Sequence, residues 1–329
     1  MHLDPFELHQ PATVEEAVAL AGRLPGEFDF LAGGSDLLPN YKMHLNLRPH
    51  LISLEGIAEL RGRTPERIGA MERLADLERD PAIAANLPAV SEAVGEVATP
   101  LVRAQATIGG NLLVETRCFF FNQSQPWRQS LGGCLKADGD RCHVVPQKER
   151  CYATFSGDLA PALLVHGAEI EIAGASGRRT APLAGIYDSG GDGIRRHHLA
   201  AGEIVTSVHL PASARGRRSV YRKLRVRPAF DFPELGLAGS ARFDGDVVQE
   251  ISLAAGGLET YPRTFDTLTQ ALVGAPLSND RIRSVAEALV RQVRPVHNTF
   301  LSPDYRRKMA GVFTRRVLES LRPAVPGGP

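Results

Sequence analysis

The hydrophobic and polar positions of the first 55 residues follow the period of a helix and then that of two strands. In "PATVEEAVALAGRLPG", Thr13 and Glu16 stand at capping-box spacing, and an apolar face at helical period is formed by Val14, Ala17, Val18 and Ala21. This pattern predicts a helix from about residue 13 to 23. The apolar runs "FDFLAGG" and "HLISLEGI" flank a Gly/Pro-punctuated connection and predict two short strands. Together these elements predict a small α/β unit that ends near residue 55.

The rest of the chain predicts two further units of mixed structure. Residues 56–218 combine short helical and strand patterns with two glycine-rich turns and a segment that contains every cysteine. After about residue 219, the turn "FDGD" predicts an antiparallel hairpin on Asp244–Gly245. A later helix begins with Ser302 as N-cap and Pro303 at the first helical position, and its predicted apolar face consists of Tyr305, Met309, Val312, Phe313, Val317 and Leu321. The predicted fold class is α+β, and the final residues "PAVPGGP" predict a disordered tail.

Composition and charge narrow the class of protein. The 329 residues are 43% hydrophobic and 23% charged, with 38 basic against 37 acidic side chains. A nucleic-acid-binding protein usually has a basic excess, so nucleic acid is not an expected partner. The N-terminus has no cationic stretch before an apolar core, and no run approaches the roughly 18 apolar residues of a membrane span. We therefore expect a cytoplasmic protein without a membrane partner.

Two glycine-rich turns are the strongest candidates for binding an anion. The chain lacks the common phosphate-loop, zinc-protease and serine-hydrolase motifs, but it contains "LAGGSDLLP" at 31–39 and "TIGGNLL" at 107–113. Paired glycines leave backbone N–H groups uncovered, and Ser35, Thr107 and Asn111 add side-chain donors suited to phosphate oxygens. Two such turns together predict a pyrophosphate site. Taken alone, each sequence is more often a simple tight turn.

All four cysteines lie within residues 118–151, in a stretch with little regular pattern that we call the cysteine segment (residues 115–153). Their spacing matches neither the paired CxxC of zinc ribbons nor the ferredoxin runs. Disulfides are disfavoured because nothing in the sequence indicates export. The clustering favours one metal site, since metal ligation would hold a long irregular segment in place. From the residues alone, structural zinc, an iron–sulfur cluster and plain buried thiols all stay open.

Six stretches of the chain resemble, in this order, the FAD-binding medium subunits of the xanthine dehydrogenase and carbon monoxide dehydrogenase family: "LAGGSDLLP", "TIGGNLL", "SGDLAPALLVHGAEI", "GEIVTSVHLP", "YRKLRVRPAFDFPELGLA" and "DYRRKMAGVFTRRVL". The resemblance covers nearly the whole chain. It implies a two-part FAD-binding domain followed by a C-terminal α+β domain with an antiparallel sheet and helices. The implied domains are a small N-terminal α/β subdomain (1–55), a larger mixed subdomain with the cysteine segment as an insertion (56–218), and the C-terminal domain (219–329).

The resemblance also implies which residues contact FAD. The family's first loop, which wraps the FAD pyrophosphate, matches Phe30, Leu31, Ala32, Gly33, Gly34, Ser35, Asp36 and Leu37. The second loop matches Thr107, Ile108, Gly109, Gly110 and Asn111. Asp158 matches an aspartate that family members use on the sugar portion of the cofactor. Further contact positions match Val97, Val205 and Lys223, with Arg222 as the alternative to Lys223. No catalytic residue is implied in this chain.

One branch of this family, the 4-hydroxybenzoyl-CoA reductases, resembles the chain in having a four-cysteine insertion at this place, where it holds a [4Fe–4S] cluster. The resemblance implies that the cluster ligands are Cys118, Cys134, Cys142 and Cys151. It further implies an electron-transfer subunit in a dimer of heterotrimers. The implied partners are a molybdopterin-binding large subunit, a [2Fe–2S] small subunit and ferredoxin as electron donor, and the implied reaction is reductive dehydroxylation to benzoyl-CoA.

The sequence leaves alternatives to this interpretation. One is an FAD dehydrogenase subunit whose cysteine segment is held by zinc, and another is a scaffold that has the fold without flavin. The charges of the cysteine segment are equally open to two interpretations. Between residues 118 and 151 it has five basic residues against three acidic ones, and the basic ones are Arg128, Lys136, Arg141, Lys148 and Arg150. This basic excess favours attraction of an acidic ferredoxin, whereas a solvated loop surface would have the same composition.

Overall fold

The computed structural model describes residues 3–323 and contains three β-sheets, each drawn from a different part of the chain. The first sheet is parallel, in the order β1–β3–β2, with strands β1 (Glu7–His9), β2 (Phe28–Leu31) and β3 (His50–Ser53). Two helices accompany it, α1 (Val14–Arg23) and α2 (Leu37–Lys42). The small α/β unit predicted for the first 55 residues is therefore present.

Helix α1 begins where its sequence signal predicts. The Thr13 hydroxyl accepts a hydrogen bond from the Glu16 amide at 3.1 Å, which satisfies one of the free N–H groups of the first turn. Two acidic residues in that turn and Arg23 in the last turn complement the helix dipole. The face predicted to be apolar packs against the sheet, where Ala17 and Ile52 are fully buried.

The second sheet is antiparallel, in the order β4–β7–β5–β6, with strands β4 (Arg67–Gly69), β5 (Glu169–Gly174), β6 (Gly177–Pro182) and β7 (Ile204–His209). Seven short helices lie between β4 and β5: α3 (Leu74–Glu78), α4 (Pro81–Asn86), α5 (Pro88–Glu96), α6 (Pro100–Arg103), α7 (Ile108–Leu112), α8 (Gln125–Ser130) and α9 (Leu159–Leu164). Of these, α8 is the regular helix within the cysteine segment. Short 3-10 turns occupy Ala58–Leu60, Leu183–Ile186 and Ala212–Ala214.

The third sheet is also antiparallel, in the order β11–β10–β9–β8, with strands β8 (Arg218–Leu224), β9 (Leu235–Asp244), β10 (Val247–Gly256) and β11 (Arg263–Thr264). Helices α10 (Asp266–Thr269), α11 (Asn279–Gln292) and α12 (Pro303–Leu321) follow it, with a 3-10 turn at Gln270–Leu272. Helix α5 packs on β8, and α9 packs on β9 and β10, so these two helices join the second sheet to the third. The α+β fold class is confirmed, and the division of the sheets along the chain supports the proposed domain boundaries near residues 55 and 218.

Two local predictions in the C-terminal part need correction. The sequence predicts the hairpin turn on Asp244–Gly245, whereas the turn residues are Gly245 and Asp246, because Asp244 still pairs with Val247 as the last residue of β9. Gly245 has a φ of 58°, which glycine adopts without a steric penalty. The predicted disordered tail lies outside the described residues except for Pro323.

Helix α12 begins as predicted, but its buried face differs at the first turn. The Ser302 hydroxyl accepts a hydrogen bond from the Tyr305 amide at 3.3 Å. The Tyr305 side chain is 43% exposed, so its assignment to the apolar face is wrong. The neighbouring Arg306 is fully buried instead, because its guanidinium donates hydrogen bonds to the carbonyl oxygens of Glu234 and Val296.

Acid is expected to destabilise the fold through His166, which follows α9 and is 1% exposed. Burial lowers the pKa of His166 from 6.5 to about 4. The unfolded chain therefore takes up a proton between these values that the folded chain excludes, and stability falls as the pH falls. We expect a loss of about 2 kcal/mol from this residue between pH 7 and pH 5. Urea unfolding should show a weaker pH dependence in His166→Gln and an unchanged one in His198→Gln, an exposed histidine.

No helix within residues 3–323 combines the length and the apolar character that a membrane crossing requires.

Candidate flavin and metal site

The first glycine turn leaves a row of backbone donors open. Phe30 and Leu31 end β2, residues 32–36 form the turn, and Leu37 begins α2. Gly34 has a φ of 66°. Among the described residues, the backbone N–H groups of 33–36 find no acceptor in the protein, while all eight residues of 30–37 are only half-buried. Uncovered amides at the entry of a helix are suited to phosphate oxygens, so this turn fits the FAD pyrophosphate.

The second turn is built differently from what its sequence predicts. Thr107 caps α7, with its hydroxyl accepting from the Gly110 amide at 3.1 Å, and the Ile108 and Gly109 amides donate to the carbonyl oxygens of Glu72 and Ala70. These three amides are already used within the protein. The second turn therefore offers a closely packed glycine surface rather than the row of free amides that the resemblance implies.

The two turns lie side by side. A Cβ atom on Gly33 would stand 1.8 Å from the carbonyl oxygen of Gln105, and one on Gly110 would stand 3.8 Å from the Cβ of Ala32. Gly109 packs equally closely, since its Cβ would lie 2.9 Å from that of Ala70. The glycines are thus required by close approach of the backbones. The two predicted loops, residues 30–37 and 107–111, therefore lie next to each other and form one surface, which we call the flavin cradle.

Asp158 and Lys223 form a buried ion pair. Lys223 Nζ lies 3.0 Å from Asp158 Oδ2, and the two side chains are 1% and 3% exposed. The Tyr221 hydroxyl donates to Asp158 Oδ1 at 2.6 Å, and Lys223 also donates to the Glu96 carbonyl oxygen at 2.9 Å. Burial raises the pKa of Asp158, and the Lys223 ammonium and the Tyr221 hydroxyl oppose that rise. Both carboxylate oxygens therefore already accept hydrogen bonds within the protein.

This pair stands beside the second turn, and the two candidate residues Lys223 and Arg222 differ in their surroundings. Asn111 Oδ1 accepts a hydrogen bond from the amide of Leu159, the residue after Asp158, at 3.1 Å. Lys223 is the buried partner of Asp158, whereas Arg222 is 42% exposed and pairs with Glu92 on the surface. Lys223 thus lies in the same region as Asp158, and its contact with FAD stays a prediction.

Val97 and Val205 lie away from any open surface. Val97 ends α5, Val205 lies in β7, and both belong to the main apolar core at 7% and 5% exposure. Glu96, the neighbour of Val97, provides the carbonyl oxygen that binds Lys223. The flavin contacts expected for the two valines stay predictions.

The four cysteines converge. All four are free and buried, and they line one pocket. The other residues of this pocket include Phe120, Phe121 and Val144. Burial and the neighbouring thiols raise the pKa of Cys118 to about 11, and burial chiefly raises that of Cys151 to about 12. Without a bound cation these thiols therefore stay protonated, and a metal would release their protons.

The spacing of the sulfurs is wider than a single zinc ion requires. Zn–S bonds of about 2.3 Å in a tetrahedral site hold the four sulfurs roughly 3.8 Å apart. Within residues 3–323, no three of the cysteine sulfurs lie within 4.8 Å of one another. A cluster binds each cysteine through a different iron atom and so spaces the sulfurs more widely. The spacing of the sulfurs is therefore compatible with a cluster that has one cysteine at each corner.

Buried polar contacts hold the cysteine segment in place. Arg128 donates to the carbonyl oxygens of Met43 and His44 at 3.0 and 2.9 Å, which ties α8 to the end of α2. Lys136, which lines the cysteine pocket, lies 2.7 Å from a Glu115 carboxylate oxygen. Both basic side chains are buried.

The burial of these two residues corrects the expected basic surface. Arg141, Lys148 and Arg150 are the basic residues of the segment that remain exposed. The three acidic residues between 118 and 151 are all exposed, so the solvated charges of this stretch balance, and the basic attraction for an acidic ferredoxin is not present on it.

The sequence interpretation missed Arg117, which connects the two candidate cofactor regions. It directly precedes Cys118, and its guanidinium forms an ion pair with Asp36 in the first glycine turn. The same group lies 4.4 Å from the centroid of the Phe232 ring, and burial lowers the pKa of Arg117 to about 10. The available signal was a charged residue placed directly before the apolar run "CFFF".

Comparison with known protein families divides the chain where the second sheet ends and the third sheet begins. A sequence model of the FAD binding domain in molybdopterin dehydrogenase matches residues 4–213, and one of the CO dehydrogenase flavoprotein C-terminal domain matches residues 219–321. The chain belongs to the FAD-binding medium subunits of the xanthine and carbon monoxide dehydrogenase family. This medium subunit is 29% identical over 320 residues to the carbon monoxide dehydrogenase medium chain of Hydrogenophaga pseudoflava, with 96% of each chain covered.

Other relatives agree with this membership. The aldehyde oxidoreductase FAD-binding subunit of Escherichia coli is 30% identical over 323 residues, which cover 94% of this medium subunit and 97% of the relative. A solved structure of the carbon monoxide dehydrogenase from Hydrogenophaga pseudoflava superposes with a TM-score of 0.79 at 28% identity and covers 98% of each chain. The fold is therefore that of a carbon monoxide dehydrogenase medium subunit, and an FAD-binding domain is part of it.

Gly33→Ala in this medium subunit is expected to weaken FAD binding by about five- to 150-fold, because overpacking by one methyl group costs about 1–3 kcal/mol. The added Cβ would overlap the Gln105 carbonyl oxygen and push the two turns apart. Fluorescence of released flavin per chain measures the effect. Gly22→Ala is the matched control, since nothing lies within 4 Å of its Cβ position in α1. Equal flavin content in both variants would contradict the cradle assignment.

Proposed function

We propose that this medium subunit is the FAD and [4Fe–4S] electron-transfer subunit of a molybdenum-containing 4-hydroxybenzoyl-CoA reductase. In that complex it relays electrons from ferredoxin to a [2Fe–2S] subunit and a molybdopterin subunit, where the phenolic hydroxyl of the thioester is removed to give benzoyl-CoA. The main support is the single pocket lined by Cys118, Cys134, Cys142 and Cys151 in a segment inserted between the second glycine turn and Asp158.

The pocket has the properties that an iron–sulfur cluster requires. Among the described residues, no three of its sulfurs lie within 4.8 Å of one another, which is wider than in a zinc site, and apolar side chains, among them Phe121, line it. The Lys136 ammonium lies 4.6 Å from the Phe121 ring centroid, at the wall of the pocket. A buried positive charge at this place stabilises the negative charge that thiolate ligands carry. These features disfavour the zinc-held alternative.

The chain holds the two proposed cofactors close to each other. Arg117 and Cys118 are consecutive, and the Arg117 side chain reaches Asp36 in the turn proposed for the FAD pyrophosphate. When bound, FAD accepts and releases electrons singly or in pairs, and a [4Fe–4S] cluster transfers one electron at a time. The role of this chain's residues is therefore to bind, orient and shield both groups. The open amides of 33–36 disfavour a scaffold without flavin.

Assembly of the complete complex tests this function. The medium subunit is expressed with its molybdopterin-binding and [2Fe–2S] partners and is supplied with reduced ferredoxin and 4-hydroxybenzoyl-CoA. We expect benzoyl-CoA formation that stops when ferredoxin is omitted. A complex that does not dehydroxylate this thioester and instead oxidises a substrate with NAD or a quinone as acceptor would contradict the proposal. Sedimentation of the same sample tests the proposed dimer of heterotrimers.

The cytoplasm is the proposed location of this complex. The four cysteines are free thiols placed to bind metal, and thiols stay reduced in that compartment.

A further inference from the structure

A second group of possible metal ligands lies outside the flavin and cysteine sites, at the edge of the first sheet. His9 Nε2 lies 3.2 Å from His50 Nδ1. The Glu7 carboxylate oxygens lie 3.7 Å from His9 Nε2 and 3.5 Å from His50 Nδ1. Within residues 3–323, this is the one set of three histidine, cysteine or carboxylate ligand atoms that all lie within 4.8 Å of one another.

The parallel pairing of two strands fixes these side chains. Glu7 is paired with His50, and His9 is paired with Ile52, so the three ligand residues occupy the same face of neighbouring strands. Ile52 on that face is fully buried in the core under α1. The ligands therefore stand on rigid backbone at the rim of a packed layer, as a metal site with defined geometry requires.

The distances match those of ligands that share one ion. Metal–nitrogen bonds of about 2.0–2.1 Å in a tetrahedral site place two ligand atoms roughly 3.3 Å apart. The observed separations between the three ligand residues are 3.2, 3.5 and 3.7 Å. The imidazoles are mostly shielded, at 19% and 20% side-chain exposure, while Glu7 is 65% exposed. The remaining coordination position thus faces solvent.

We propose that Glu7, His9 and His50 bind one late first-row divalent cation, of which Zn²⁺ is the class member to test. Two imidazoles and one carboxylate form a ligand set that binds these ions more strongly than it binds Mg²⁺ or Ca²⁺. The cation replaces the proton shared between the two imidazoles, and the carboxylate offsets part of its charge. Bound there, it links β1 to β3 and holds the N-terminal strand on the sheet. This site is independent of the proposed function.

Cobalt titration of the full-length chain, with its flavin and cluster loaded and oxygen excluded, tests the site. Co²⁺ occupies such sites in place of Zn²⁺ and gives weak visible bands with imidazole and carboxylate ligands. Thiolate ligation adds strong near-ultraviolet absorption, so binding to the cysteines is recognised separately. We expect one Co²⁺ per chain without thiolate absorption, and loss of this ion in His9→Gln/His50→Gln. His198→Gln, an exposed histidine elsewhere, should bind as the wild type does.

Thermal unfolding with Zn²⁺ and a third variant test the same site independently of the cobalt spectra. Zn²⁺ should raise the unfolding temperature of the wild type and leave that of the double variant unchanged. Glu7→Gln, which changes an exposed side chain, should fold normally and bind the ion about tenfold more weakly. Equal metal content in the wild type, the double variant and Glu7→Gln would overturn the proposal.

Discussion

Cys134→Ser is expected to abolish iron binding by this medium subunit while its FAD content stays near that of the wild type. The serine side chain fits the space of the cysteine, but its hydroxyl is a poor ligand for iron, so one corner of the proposed cluster is lost. The glycine turns that form the flavin cradle belong to other segments of the chain and keep their contacts. Iron and sulfide assays, together with the fluorescence of released flavin, measure both expectations on one sample.

The matched control for this variant is Arg141→Gln. Arg141 is exposed and adjoins Cys142, so its replacement changes the surface of the same segment without removing a ligand. We expect wild-type iron in this variant. Full iron in Cys134→Ser would show that the ligand assignment is wrong, and loss of iron from both variants would show that the segment is merely fragile.

Lys223→Met is expected to lower the free energy of unfolding by about 3–5 kcal/mol, because it leaves the Asp158 carboxylate buried without its counter-charge. The pair is almost fully buried, and Tyr221 is the one hydrogen-bond partner that Asp158 would keep among the described side chains. The neighbouring second turn should loosen as well, since Asn111 binds the amide that follows Asp158. Urea unfolding measures the stability, and the flavin content reports on the turn.

Two further variants test whether the loss of stability comes from the buried Asp158–Lys223 pair or from any substitution in this strand. Arg222→Met removes a basic side chain that is 42% exposed in the same strand, and it should change stability by less than about 0.5 kcal/mol. Adding Asp158→Asn to Lys223→Met should recover part of the loss, because no unpaired charge then remains buried. If Lys223→Met is as harmless as Arg222→Met, the buried pair does not contribute as the geometry indicates.

Elements whose signals are local were predictable from the sequence. The cap residues Thr13 and Ser302 lie within one turn of the helices they start, and both helices begin as predicted. The hairpin between β9 and β10 was wrong by one residue, because its turn residues depend on how far the strand pairing extends. The two glycine turns were likewise visible, but their adjacency depends on Gly33 approaching Gln105 across a long sequence separation.

The sequence patterns could not predict which charged side chains are buried. Arg306 is fully buried because partners distant in the sequence accept hydrogen bonds from its guanidinium, and Arg117 is largely covered beside its distant partner Asp36; apolar periodicity contains no signal for such partners. The four cysteines clustered in the sequence do line one pocket in the structure, and the metal site predicted for them stays a prediction. Their clustering did not distinguish zinc from a cluster, because the spacing of sulfurs in space, not along the chain, carries that information.

Elemental analysis of the chain purified without oxygen tests whether the cysteine pocket holds a [4Fe–4S] cluster next to FAD. Iron, acid-labile sulfide, zinc and released flavin are measured per chain alongside the visible spectrum. We predict four iron, four sulfide and one FAD, with cluster absorption beneath the flavin bands. The expected zinc at Glu7, His9 and His50 is removed from the count by using His9→Gln/His50→Gln as well. One zinc and no iron in that variant would contradict the claim and leave the cysteines as a structural zinc site.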